Sequence, residues 1–93
     1  MYYTINVIKV KSLIWDEWNR EHLKEHNVSE EEVEEVCKDI LKQQPTYGTR
    51  YLIFGKTGKG RLLTIVLARE ARGTYYVVTA RDMSKRERRQ FIK

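Results

Sequence analysis

Three runs of strand-forming residues, Arg50–Lys56, Arg61–Arg69 and Thr74–Arg81, follow one another with four-residue breaks between them. Both breaks, Thr57-Gly58-Lys59-Gly60 and Glu70-Ala71-Arg72-Gly73, end on glycine, as short hairpin loops require. The second half of the chain is therefore expected to be an antiparallel meander. In its last run Tyr75, Val77, Thr79 and Arg81 share one parity and Tyr76, Val78 and Ala80 the other. Alternation thus puts Arg81 on the Tyr75 side, at a strand end. A looser alternation over Tyr2–Val10 predicts a further strand at the N-terminus.

Helical signals lie between and after these runs. Asp16–Glu25 is built of helix formers with Asp16 placed to cap, and Asn27 tolerates the left-handed conformation that ends a helix. Ser29 and Glu32 form a capping box. Val33, Val36, Cys37, Ile40 and Leu41 then recur at i, i+3, i+4, i+7 and i+8, which predicts one helix running through Leu41 until Pro45 and Gly48 close it off. Ser84 and Glu87 repeat the capping box, so a short basic helix is expected from Lys85 to about Ile92. The expected class is α+β: a small antiparallel sheet with two helices before it and one after it. At 93 residues the chain forms a single domain, residues 1–93, with no room for a second core.

Charge is distributed unevenly. Residues 1–60 carry 9 basic and 10 acidic side chains, residues 61–93 carry 9 basic and 3 acidic. A C-terminal third at +6 favours a polyanionic partner. One cysteine, Cys37, excludes an intramolecular disulfide and fits a reducing, cytoplasmic setting. The longest apolar run, near Leu62–Ala68, is interrupted by Thr64 and too short to span a bilayer, so neither membrane insertion nor secretion is expected.

Two motifs resemble chemistry elsewhere. His22-Leu23-Lys24-Glu25-His26 spells the inverted zinc-peptidase pattern, with two His at i, i+4. That activity needs a further protein ligand and a cleft; the plainer expectation is one His packed or capping the helix end and the other solvated. Gly55-Lys56-Thr57-Gly58-Lys59-Gly60 falls short of a phosphate-binding loop: Arg50 stands where glycine is required, and a strand follows rather than a helix. A hairpin tip bearing two lysines is expected there.

Arg81, followed by Lys85, Arg86, Arg88, Arg89 and Lys93, gathers guanidinium groups that suit phosphate, with Arg61 and Arg69 expected nearby. Tyr2, Tyr3, Tyr47, Tyr51, Tyr75 and Tyr76 are candidates to stack on unpaired bases. A solvated basic helix with tyrosines in the core is the plain alternative.

The order of these pieces resembles the BrnT family of bacterial toxins over about Leu13 to Phe91. The carriers are Ile14-Trp15-Asp16, Lys24-Glu25-His26-Asn27-Val28-Ser29 with Glu31-Glu32, Arg50 with Gly55, Gly60-Arg61-Leu62-Leu63, Thr79-Ala80-Arg81-Asp82-Met83 and Glu87-Arg88. His22 stands where that family carries Asn, and Phe91 where it carries Tyr. The resemblance implies an RNA-cleaving toxin of RelE and ParE fold, without a metal or other cofactor. It also implies neutralisation by a cognate antitoxin that carries a DNA-binding domain. An oligomer of the chain with itself or with that antitoxin is left open.

RNA cleavage by 2′-hydroxyl attack needs a proton acceptor, cations for the growing phosphoryl charge and a proton donor for the 5′ oxygen. Arg81 and Arg61 are the candidates for charge stabilisation. His26 is the preferred base or acid, since imidazole titrates near neutral pH, with Glu87 second. Arg50, Lys56, Lys59, Lys85, Arg88 and Arg89 are the expected RNA contacts. Two other classes stay open: a non-catalytic nucleic-acid-binding or regulatory module, and a subunit whose basic surface holds an acidic partner.

Overall fold

The computed structural model describes residues 8–91. The chain is α+β: β1 (Ser12–Ile14), α1 (Glu17–Glu25), α2 (Glu30–Lys38), β2 (Ile40–Pro45), β3 (Arg50–Lys56), β4 (Leu62–Ala71), β5 (Thr74–Asp82) and α3 (Lys85–Arg88). The strands form one mixed sheet in the order β1-β5-β4-β3-β2, antiparallel except for β1, which runs parallel to β5. The expected meander is β3-β4-β5. The expected strand over Tyr2–Val10 lies mostly outside the described residues, and Ile8, Lys9 and Val10 are not in a strand.

All three expected caps form. Asp16 and Asn19 bond reciprocally at the start of α1, as do Ser29 and Glu32 on α2 and Ser84 and Glu87 on α3. Helix α1 ends as the sequence implies: Asn27 takes φ 55° while its N–H donates to Lys24 and that of Val28 to Leu23. This closes a Schellman turn over two buried side chains, Leu23 and Val28. Helix α3 is shorter than expected and gives way to turns after Arg88.

The expected length of the second helix is corrected. It stops at Lys38, Asp39 leaves the helical region at φ −143°, and Ile40–Pro45 becomes a strand. The reason lies at long range, because β3 ending the sheet would expose the backbone edge of an apolar strand. β2 pairs it and is the outermost strand on that side among the described residues, carrying Lys42, Gln44 and Pro45, with Gln43 accepting from the Ile8 N–H.

Both long helices pack on one face of the sheet. The core between them holds Leu23, Val28, Val33, Val36, Ile53, Leu63, Ile65, Leu67, Tyr75, Val77 and Ala80. Gly55 is required by this contact: a Cβ there would lie 2.6 Å from Val36 Cγ1. At the tip between β4 and β5, Gly73 takes φ +81° and its carbonyl accepts from Lys11 and Ser12, tying down the entry to β1.

Candidate functional site

The register of β5 decides where the arginines go. Thr79 pairs with Val66 and Val77 with Leu67, so one extra residue, Val78, is accommodated as a β-bulge. Alternation reverses there: Tyr75, Val77 and Ala80 face the core, and Arg81 turns to the opposite, helix-free face. The parity expected from the sequence, with Arg81 on the Tyr75 side, is corrected accordingly. Arg81 lies in a cross-strand row with Thr64 and Phe54.

On that face Arg81 is held by α3. Its Nη1 and Nη2 donate to Glu87 Oε1 at 2.8 Å and Oε2 at 3.1 Å, and Nη1 also reaches the carbonyl of Asp82. Glu87 Oε1 further accepts from Thr64 Oγ1 at 2.8 Å and from the Ser84 N–H at 2.9 Å. The bond from Arg81 is the chief cause that holds the Glu87 carboxyl down at about 2, with Ser84 and Thr64 adding to it against burial. Phe91 on Phe54 at 6.0 Å between ring centres, and Lys42 Nζ on Gln90 at 2.8 Å, fasten the end of this segment to the sheet.

Arg61 belongs to a second cluster, on the helix side. Its Nε and Nη2 grip both oxygens of Asp82 at 2.7 and 3.2 Å, and Nη1 reaches Glu32 at 3.0 Å. Nη1 and Nη2 also donate to the carbonyls of Asn27 and His26. One guanidinium thus joins the α1–α2 junction, the start of α2 and the end of β5. Its bond to Asp82 does most to raise its pKa, and in return Arg61 lowers that of Asp82. The two expected charge stabilisers therefore stand on opposite faces, linked through Asp82: its side chain takes Arg61, its main chain Arg81.

The remaining candidates are scattered. His26 is exposed at the end of α1, close enough to Asp82 to lower that carboxyl slightly. Lys85, Arg88 and Arg89 are exposed in or just after α3, and Lys56 at the end of β3. Lys59 lines a hollow walled by Glu31, Glu32 and Glu35, which repels phosphate, and the neighbouring Gly58 N–H is bound by Glu35. Arg50 is at the opposite end of β3, stacked over Tyr47 at 5.4 Å. Arg69, also expected nearby, is beside Tyr51, Tyr75 and Arg72 at the end of β4 away from Arg61. Tyr75 is in the core, Tyr76 donates to Asp16, and Tyr47 is 73% exposed; Tyr2 and Tyr3 lie outside the described residues.

Ser84 is the cap partner of Glu87 that the sequence implies, whereas sequence reasoning missed Thr64 as a partner of Glu87 and Asp82 and Glu32 as partners of Arg61. Only Thr64 carried a signal: a lone hydroxyl interrupting an apolar strand, 1% exposed and bonded to Glu87. Among the described residues no group of three or more His, Cys, Asp and Glu is placed to hold a metal ion, and no helix is long and apolar enough to cross a membrane.

Comparison with curated proteins and with solved structures found no match. A family model described as a domain of unknown function, DUF4258, matches residues 19–82, from the buried cap residue of α1 to the acidic partner of Arg61. With more than two thirds of its length matched, the chain belongs to the DUF4258 family.

Proposed function

We propose that this protein is a metal-independent endoribonuclease toxin acting in the cytoplasm, neutralised by a cognate antitoxin that carries a DNA-binding domain. The observation that carries it is the constellation on the helix-free face: Arg81, two-fifths exposed, fixed beside Glu87 and Thr64 with Lys85, Arg86, Arg88 and Arg89 exposed just beyond. The BrnT-like blocks around Thr79-Ala80-Arg81 and Glu87-Arg88 fall on these same residues.

In this proposal the phosphoryl group of a bound RNA competes with Glu87 for Arg81, whose fork matches two phosphate oxygens as well as it matches a carboxylate. Arg81 then meets the charge that grows on those oxygens as the 2′-hydroxyl attacks. His26, which stands on the helix side beside Arg61, is the first candidate for proton transfer, and Glu87, no longer held down by Arg81 once the phosphate takes that guanidinium, is the second. Arg61 acts as a positioning residue, since both of its terminal nitrogens and Nε are engaged.

The test is incubation of the purified full chain with end-labelled RNA in excess EDTA, beside Arg81→Ala. Cleavage by the wild type alone supports the proposal; intact RNA overturns it. The second reading, a non-catalytic nucleic-acid-binding module on the same scaffold, is favoured by the full neutralisation of Arg81 by Glu87. It expects salt-sensitive RNA binding without cleavage.

A further inference from the structure

His22 and His26 stand one turn apart on α1, with ring centres 6.0 Å apart and ring planes inclined at 52°. Both are exposed, and among the described residues neither imidazole makes a hydrogen bond or ion pair. His26 is the C-cap residue of α1, its N–H donating to the carbonyls of Leu23 and Lys24, while its ring, like that of His22, is exposed.

We propose that His22 and His26 form a two-ligand site for a divalent transition-metal ion of the imidazole-preferring class, Zn²⁺, Ni²⁺ or Cu²⁺. Ring nitrogens bind such ions at about 2.0–2.1 Å, which at a tetrahedral angle brings two ring centres to about 5 Å. The observed spacing is closed by side-chain rotation alone. The backbone that carries the pair is fixed at both ends, by the Asp16–Asn19 capping box and by the Schellman turn at Asn27, and from below by buried Asn19 and Leu23. Little ordering cost is left for the ion to meet. The site also sits in the last turn of α1, where the helix dipole favours a cation.

This arrangement differs from a zinc peptidase in its ligand count. With two protein ligands the ion keeps its other positions for water, so the site binds without a third residue to complete a catalytic centre. If His26 also moves the proton in RNA cleavage, a bound ion occupies the lone pair that this step needs and inhibits it. The metal site itself does not depend on that.

Titration calorimetry of the metal-stripped full chain with ZnCl₂ at about pH 7.5 tests the site. One saturable event is expected in the wild type, absent in His22→Ala and in His26→Gln, both checked for an unchanged circular-dichroism spectrum. Cys37→Ser should bind as the wild type does, because burial pushes that thiol up to about 12 and leaves it a poor ligand. No saturable binding by the wild type, equal binding by His22→Ala, or loss of binding in folded Cys37→Ser would each overturn the proposal.

Discussion

Arg61 and Asp82 meet fork to fork, through two hydrogen bonds, at a point where three elements converge. Arg61→Ala leaves Asp82 and Glu32 without their cation and two carbonyls at the α1–α2 junction without a donor. With Arg61 about one quarter exposed, the expected loss is about 2 kcal/mol. Arg61→Lys should recover only part of it, because an ammonium cannot bridge both oxygens of Asp82 while reaching α1. Thermal unfolding followed by circular dichroism checks this. An unchanged melting temperature in Arg61→Ala would show that the convergence contributes nothing.

Glu87 sets an acid limb for stability. Its folded pKa of about 2 lies below the ordinary value of 4.5, so the unfolded chain binds the proton first. The contribution is complete above about pH 4.5 and is lost as pH falls toward 2. Asp82, lowered by Arg61, adds to the same window with the same sign. Urea midpoints measured across it should fall with pH in the wild type and fall less steeply in Glu87→Gln. Equal slopes would remove Glu87 from the account.

Gly55 is a packing requirement and not a turn. Gly55→Ala drives a methyl into Val36 and is expected to cost about 1–3 kcal/mol. Val36→Ala, itself destabilising through a cavity, should make room for that methyl. The pair should therefore be less unstable than the sum of the singles, a coupling that a double-mutant cycle measures.

Two substitutions separate the roles at the helix-free face. Arg81→Ala should slow RNA cleavage by about 10²–10³-fold, the effect of deleting one preorganised donor. Glu87→Gln removes the competing charge and should tighten RNA binding while cleavage persists. If Glu87→Gln instead abolishes cleavage with binding intact, Glu87 and not His26 handles the proton.

What could be read from the sequence was local. Ser29 with Glu32, Ser84 with Glu87 and Asn27 act within a few residues of themselves, and each did what its chemistry implies. The bounds of β3 matched for the same reason, since alternation and glycine breaks are local signals. Ile40 and Leu41 misled because they fit the helical stripe, while what draws them into β2 is the unpaired edge of β3. The side of the sheet that Arg81 takes was hidden by the bulge, and the partners of Arg61 by sequence separations of 21 to 35 residues.

The bulge at Val78 makes handedness of presentation a matter of counting. Pair Val78 with Val66 instead of setting it aside, and every residue after it slips by one: Ala80 exchanges sides with Arg81, so that a guanidinium is pressed among Leu23, Val33 and Ile65 while a methyl group faces the solvent side. A chain with one residue fewer at this point would show the arginine on the same face without a bulge, whereas a chain of equal length that paired β5 regularly would keep the motif and lose the display. In aligning sequences to this chain, the spacing between Val77 and Ala80 is as informative as the arginine that follows it.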